Sequence, residues 1–335
     1  MKFAVSNAPH WQTADPVAVM MRRVLLALIP VMLVSSWLLG VGVLINLTFS
    51  ALLCWGLEAT VLVLRQRPVR QFANDGSALI TACLLALALP PNSPWWVIAV
   101  ACLFAIVFAK HLYGGLGYNI FNPAMVGYVV VLISFPENLA AWPGMGNSPL
   151  GFTAALDVFS NGITVTDALT GATPLDTIRI ELARMLTMGE ITAAETFNNE
   201  AWIWINLAAL GGGIWLLWRG VIRWHIPASM LGSMAILYCL FYIFAAQSHP
   251  DPFTGLLSGG TMLAAFFVAT DPVSAATSDR GRLIYGAGIG ALSFAIREWG
   301  AYPDGIAFAV LLMNMAAPLI DRYTVPRVYG HRDRP

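Results

Sequence analysis

Between Thr166 and Thr177 the chain reads TDALTGATPLDT, a stretch with four threonines and no His, Cys or Lys. A threonine acts as a nucleophile only beside a base, and the five histidines (His10, His111, His225, His249, His331) all lie elsewhere. Gly171 suggests a phosphate-cradling turn, but no Gly-x-Gly-x-x-Gly and no Gly-Lys-Ser/Thr accompanies it. The stretch is therefore a poor active site. It is a better substrate, an accessible hydroxyl for an enzyme that brings its own base and metal. Gly171 and Ala172 add little bulk. Pro174 stops a helix from running through, and it holds Thr173 extended because a residue before proline avoids the α region.

Other chemistry-bearing residues are sparse. Glu58, in CWGLEATVLVL, sits inside an apolar run. An acid in such a place is a candidate for ion coupling. Arg65 lies about two turns further on, so an ion pair with a snorkelling arginine explains Glu58 equally well. Asn46, Asn119, Asn122, Asn206 and Asn314 add polarity to other apolar runs. Cys54, Cys83, Cys102 and Cys239 are scattered without a second ligand at metal spacing, which favours buried structural cysteine and no metal.

Composition defines the elements that must position these groups. Of 335 residues, 58% are hydrophobic and 11% charged, with a mean hydropathy of +0.70. Soluble domains are roughly 25% charged. The sequence is expected to form an all-α polytopic membrane protein whose surroundings are lipid, with no nucleic-acid partner. Residues Met1 to Met21 read as a short polar tail, not a cleaved signal. Ten segments are apolar enough to be expected as membrane spans: Val24–Gly42, Val43–Leu64, Ser77–Pro90, Trp96–Ala109, Ile120–Phe135, Trp202–Trp218, Pro227–Ala246, Leu256–Thr270, Leu283–Ile296 and Gly305–Ile320.

Threading ten spans with the N-terminus in the cytoplasm places fifteen Lys and Arg inside and three outside, Arg179, Arg184 and Arg297. That asymmetry sets the orientation. The expected organisation is a cytoplasmic tail (1–23), a first five-helix unit (24–135), an external loop (136–201), a second five-helix unit (202–320) and a cytoplasmic tail (321–335). The threonine stretch falls in the external loop, and loops of this length often carry function.

The two five-helix units echo each other. DGSALITACLLALALPP from Asp75 parallels SGGTMLAAFFVATDPV from Ser258, matching Gly76 to Gly260 and Ser77 to Thr261. NPAMVGYVVVL from Asn122 parallels PDGIAFAVLLM from Pro303. An odd number of spans per unit makes the two copies inverted in the membrane. Short Gly- and Pro-interrupted helices in inverted copies point to a midplane site for an anion or a polar ring, around Gly76, Ser77, Pro123, Gly260 and Thr261. The same Gly and Pro would also serve close helix packing.

Asp167-Ala168-Leu169-Thr170-Gly171-Ala172-Thr173 resembles the Asp-x-x-(Ser/Thr)-Gly-Ala-Thr signature of flavinylated proteins. With FAKHLYGGLGYNIFNPAMVGYVVVLISFP (from Phe108), LLSGGTMLAAFFVATDPVSAATSDRGRLIYGA (from Leu256) and YPDGIAFAVLLMNMAAPLIDRYTVPRVYGHR (from Tyr302), nearly the whole chain is similar to the RnfD/RsxD family of ion-translocating oxidoreductase (Rnf) subunits, relatives of NqrB.

The resemblance implies covalent FMN on Thr173 through a phosphoester. Asp167, Thr170, Gly171 and Ala172 would be the address read by a flavin transferase. It implies electron exchange between NADH and ferredoxin or flavodoxin coupled to Na⁺ or H⁺ translocation, in a bacterial inner-membrane complex with RnfA, RnfB, RnfC, RnfE and RnfG. By analogy a second, non-covalent riboflavin is expected at the midplane. The competing expectation, from architecture alone, is a stand-alone solute channel or secondary transporter.

Overall fold

The computed structural model describes residues 17–69, 73, 75–144, 150–162, 170–194, 197–302 and 304–324. Apolar runs without a polar stripe form helices that are hydrophobic nearly all round. The first group is α1 (Val17–Leu39), α2 (Gly42–Leu64), α3 (Ser77–Ala88), α4 (Trp95–Leu103, continuing in π-helical form over Phe104–His111) and α5 (Pro123–Ser134). The second is α10 (Glu200–Trp218), α11 (His225–Ala245), α12 (Pro252–Leu257), α13 (Thr261–Leu263, continuing in π-helical form over Ala264–Val268), α14 (Asp279–Trp299) and α15 (Ile306–Thr324).

Five of these helices, α1, α2, α10, α11 and α15, are long and apolar enough to cross a membrane. The molecule is thus an all-α membrane protein. By contrast, α3 has 12 residues and spans only about 18 Å at 1.5 Å per residue.

Boundaries differ from expectation in two instructive places. α1 begins at Val17, so Arg22 and Arg23 lie within the helix and do not precede it. The expected segment Leu256–Thr270 is two helices, α12 and α13, parted at Ser258–Gly260. Gly259 adopts φ +62 there, a left-handed conformation that ends helices. Asn206 of α10 then replaces the lost helical bonds. Its amide donates to the carbonyls of Leu257 (3.1 Å) and Gly259 (2.9 Å), and its oxygen accepts from the Met262 N–H (2.9 Å). Asn46 likewise donates to the Pro90 carbonyl beyond α3 (2.9 Å), and Asn122 to the Val268 carbonyl (3.2 Å). Buried backbone must be paired, and these amides pair it where helices break.

One continuous core joins both helix groups, with Leu28, Leu85, Ile98, Leu216, Met230 and Phe294 fully enclosed. α1 packs on α10, α2 on α3, α11 on α14, and α14 on α15. The α11–α14 contact is a small-residue seam. A Cβ on Gly286 would lie 2.6 Å from the Ile226 carbonyl, and one on Gly290 would collide with the Met230 carbonyl. Glycines one turn apart let backbones approach where burial alone gives little drive. Large apolar side chains such as Trp37, Leu52, Trp218 and Phe244 point outward, as a lipid-facing surface requires.

Between the groups lie α6 (Pro136–Ala140), β1 (Trp142–Pro143), α7 (Phe152–Asn161), β2 (Thr170–Gly171), α8 (Pro174–Ala183) and α9 (Met188–Ala193). The described parts of this connector are folded. Ile178, Met188 and Ile191 form its own small core with Leu182 and Phe197. β1 and β2 pair antiparallel, Trp142 opposite Gly171 and Pro143 opposite Thr170.

Candidate functional site

The β1–β2 pair and α8 together aim Thr173. Thr170 and Gly171 form β2, and a Cβ on Gly171 would meet the Gly144 Cα at 2.7 Å. Only glycine permits that approach. Ala172 is exposed and Thr173 half-buried. Thr173 is extended (φ −66, ψ 160) and serves as the N-cap of α8, with Pro174 as the first helical residue. Its Oγ1 accepts from the Asp176 N–H at 3.2 Å and donates to Asp176 Oδ2 at 2.8 Å. This Thr-x-x-Asp arrangement is a variant of the capping box. Asp167 lies outside the described residues.

Thr173 stands at a cavity of about 310 Å³. That volume falls within the range of small-ligand sites. Its walls are ring and apolar groups, chiefly Tyr128 and Met125 of α5, Trp142, Trp202 and Tyr302. Trp142 and Trp202 meet edge to face at 5.0 Å. The polar groups are Thr173, Asp176 and Arg179 from α8, and Asp304 opposite.

Asp304 is fixed by buried Arg297. Arg297 Nη2 donates to Asp304 Oδ1 (3.0 Å) and Thr261 Oγ1 (2.9 Å), and its Nη1 donates to the Gly255 carbonyl (2.7 Å). Asp304 Oδ2 accepts from the Gly260 N–H (3.0 Å), which opens α13. Arg297 therefore lies within the fold, not on an external loop.

In chemical terms, this is a hydroxyl hydrogen-bonded to a carboxylate, at the N-terminus of α8, beside a cavity walled largely by ring and apolar groups. Among the described residues no group of three or more His, Cys, Asp or Glu gathers as a metal site.

The five residues expected around one midplane site are distributed between two places. Gly260 lines the Thr173 cavity, and Thr261 is bound to Arg297 beside it. Ser77 and Pro123 line a second, smaller cavity of about 110 Å³, together with Asn119, Asn122 and Lys110. Gly76 is the left-handed cap of α3 (φ +86) next to Ser77. α3 runs from the smaller cavity, at Ser77, to the Thr173 cavity, at Ala88. α13 runs the opposite way, from Gly260 to Val268 and on to Thr270.

Glu58 is buried, and its partner is not Arg65. Lys110 Nζ is ion-paired with Glu58 Oε1, and His111 Nε2 lies 3.4 Å from the same oxygen. Arg65 instead donates to the His111 carbonyl (3.0 Å). Arg65 is simply further from the carboxylate than the α4 cation packed across from it. Lys110, one of the fifteen Lys and Arg counted on the cytoplasmic side from the sequence, is itself 2% exposed.

Sequence reasoning missed Asp176, Lys110, and the Arg297–Asp304 pair. The first had a local signal, the Thr-x-x-Asp spacing before an apolar run. The others depend on contacts between segments.

The chain is similar to known proteins over nearly its whole length. The NQR2, RnfD, RnfE family matches residues 4–330. A subunit of the ion-translocating oxidoreductase complex from Pseudomonas aeruginosa (strain UCBPP-PA14) is 50% identical over 331 residues, covering 97% of this chain and 95% of that protein. Subunits of the same name from Aliivibrio salmonicida (strain LFI1238) and Vibrio vulnificus (strain YJ016) are 46% and 44% identical. They match over 99% of this chain and 99% and 100% of theirs. With a match along almost its full length, the chain belongs to the NQR2, RnfD, RnfE family.

Proposed function

We propose that this chain is the flavin-carrying membrane subunit of an ion-translocating oxidoreductase complex, with FMN esterified to Thr173 and its ring in the adjoining cavity. The carrying observation is that the last residue of the attachment sequence, Thr173, lines a cavity of about 310 Å³ with its hydroxyl already hydrogen-bonded to Asp176. The bound flavin supplies electron transfer. Every other role belongs to side chains of this chain. Thr173 gives its oxygen to the phosphoester. The positive end of the α8 dipole and the nearby Arg179 favour the phosphate charge. Tyr128, Trp142, Trp202 and Tyr302 exclude water and present flat faces, while Asp304, held by Arg297, supplies a fixed polar edge.

Ten spans in two inverted units fit the opposite courses of α3 and α13 between the two cavities. In this reading the Thr173 end faces the periplasm, the Lys110 end faces the cytoplasm, and the membrane is the bacterial inner membrane. The basic asymmetry survives the removal of buried Lys110 and Arg297 from the count. RnfA, RnfB, RnfC, RnfE and RnfG are the proposed complex partners, and a flavin transferase acts on the Asp167–Thr173 address during maturation. NADH and ferredoxin or flavodoxin are the end partners for electrons. A non-covalent riboflavin is proposed beside Asn119, Asn122 and Lys110, where the cavity of about 110 Å³ lies below the usual range of ligand sites and has to widen to take the ring. The channel or transporter alternative loses ground to the near full-length similarity to oxidoreductase subunits.

The test is flavin fluorescence of the denatured chain on a gel, from cells that contain the transferase. Fluorescence that disappears in Thr173→Ala is expected. A dark wild-type band would defeat the attachment.

A further inference from the structure

Lysine is rare here. The chain has two, Lys2 and Lys110, against sixteen arginines. Lys110 is the buried one, and its position has a counterpart. Lys110 Nζ donates to the hydroxyl of Ser77, the first residue of α3, at 2.7 Å. Arg297 Nη2 donates to the hydroxyl of Thr261, the first residue of α13, at 2.9 Å. Each short helix thus begins on a hydroxyl pinned by a buried cation. The cations differ in one chemical respect. A guanidinium does not release its proton in a protein, whereas a buried ammonium can.

The surroundings differ in the same sense. Lys110 is flanked by Glu58 directly and by Asp75 through Ser77, whose hydroxyl donates to Asp75 Oδ1 at 2.5 Å. Glu58, His111 and Asp75 line a cavity of about 130 Å³ that also borders exposed Arg65 and Arg67. Lys110 and Ser77 line the separate cavity of about 110 Å³, where Asp271 is the other charged group. Cys54 and Cys102 complete the nearby titratable groups. The ion group is therefore a partition between two cavities. As packing it is a poor choice, because apolar residues of similar volume commonly stabilise as well or better than a buried pair.

We propose that Lys110 is a proton-transfer site linking solvent at its end of the molecule to the cavity lined by Ser77 and Pro123. The ammonium gives one proton to a basic atom in that cavity and becomes a neutral amine. Glu58, with His111 beside it, then passes Lys110 one proton taken from solvent through the neighbouring cavity. Asp75 and Ser77 form a second feed. One proton crosses the partition and no electron moves on these side chains. Water in the cavity relays the proton to a base, the Asp271 carboxylate or the reduced flavin ring, and only the latter identity rests on the proposed function.

Two measurements test this. In the first, the full chain in native membranes is trace-labelled with acetic anhydride across a pH series, and modification at Lys110 and Lys2 is read by mass spectrometry. Lys110 is expected to react along its own pH profile, displaced to lower pH by Glu58→Gln and, less, by Asp75→Asn. Asp75 is half-buried, so Asp75→Asn keeps the test decisive should Glu58→Gln fail to fold. A Lys110 that stays unlabelled wherever Lys2 reacts, or a profile that neither substitution moves, overturns the proposal.

The second is proton uptake by the assembled complex after reduction, followed with a pH indicator. Lys110→Arg keeps the charge and loses the transfer, so uptake should slow about a hundredfold, within the range for a positioned acid–base group. Covalent flavin at Thr173 should remain unchanged. Uptake at the wild-type rate overturns the proposal. Absence of flavin from the wild-type chain instead defeats the flavin reading, and the labelling, which needs no flavin, then decides this one.

Discussion

Thr173 uses one hydroxyl for two tasks, capping α8 and, in the proposed function, carrying the flavin. Esterification removes the proton it gives to Asp176 but leaves an oxygen able to accept from the Asp176 N–H. Thr173→Ser should therefore keep both the cap and the flavin, while Thr173→Val loses both. The lost cap should cost about 1 kcal/mol locally, measurable as faster hydrogen exchange in α8. Asp176→Asn retains the backbone donor and removes the carboxylate that accepts the Thr173 proton. Attachment in a timed flavinylation assay should slow at least about tenfold if this carboxylate helps to take the proton, modest against the usual range for general bases. An unchanged rate would leave Asp176 as a hydrogen-bond partner of the Thr173 cap alone. The expectation at Thr173 could be formed from the sequence because its motif is local. Lys110 was not, since a cation ending an apolar run looks like a flanking charge until its partner 52 residues away is seen.

Hydropathy locates most helices because apolar runs need no partner to be recognised, yet it is blind to where a run breaks. Leu256–Thr270 is continuous in composition and discontinuous in space. Gly259-Gly260 allows the break, and Asn206, on a distant helix, makes it affordable by pairing the exposed backbone. Asn206→Leu keeps the branching and the number of side-chain heavy atoms but leaves the Leu257 and Gly259 carbonyls without that donor and the Met262 N–H without its acceptor. Each unpaired buried group costs about 1–3 kcal/mol. The variant should unfold at a clearly lower temperature in detergent, and Gly260, at the wall of the Thr173 cavity, should exchange its amide faster. If stability is unchanged, water or backbone adjustment has replaced the amide. The π-helical turns over Phe104–His111 were equally invisible, because an apolar run without polar alternation carries no signal of its own period.

At the scale of the whole molecule, the two cavities lie at opposite ends of α3 and α13, and the proposed mechanism needs them on opposite sides of a membrane. One end presents an acceptor hydroxyl among fixed charges, Arg297 with Asp304. The other presents a titratable Lys110 beside a solvent-bordered cavity. Electrons held near one face and protons drawn from the other describe a coupling device only if the faces are topologically distinct. Ala172, exposed beside Thr173, and Tyr118, 71% exposed between α4 and α5, mark the two ends. Ala172→Cys should react with a membrane-impermeant maleimide in intact spheroplasts. Tyr118→Cys should react only after the membrane is opened. Both belong in a background with Cys239 replaced, since that native thiol is exposed. Reaction of both cysteines from the same side would defeat the ten-span inverted arrangement. The flavin on Thr173 could survive that result, but the two cavities would then no longer face opposite compartments, and proton entry past Lys110 would lose its link to transport across the bilayer.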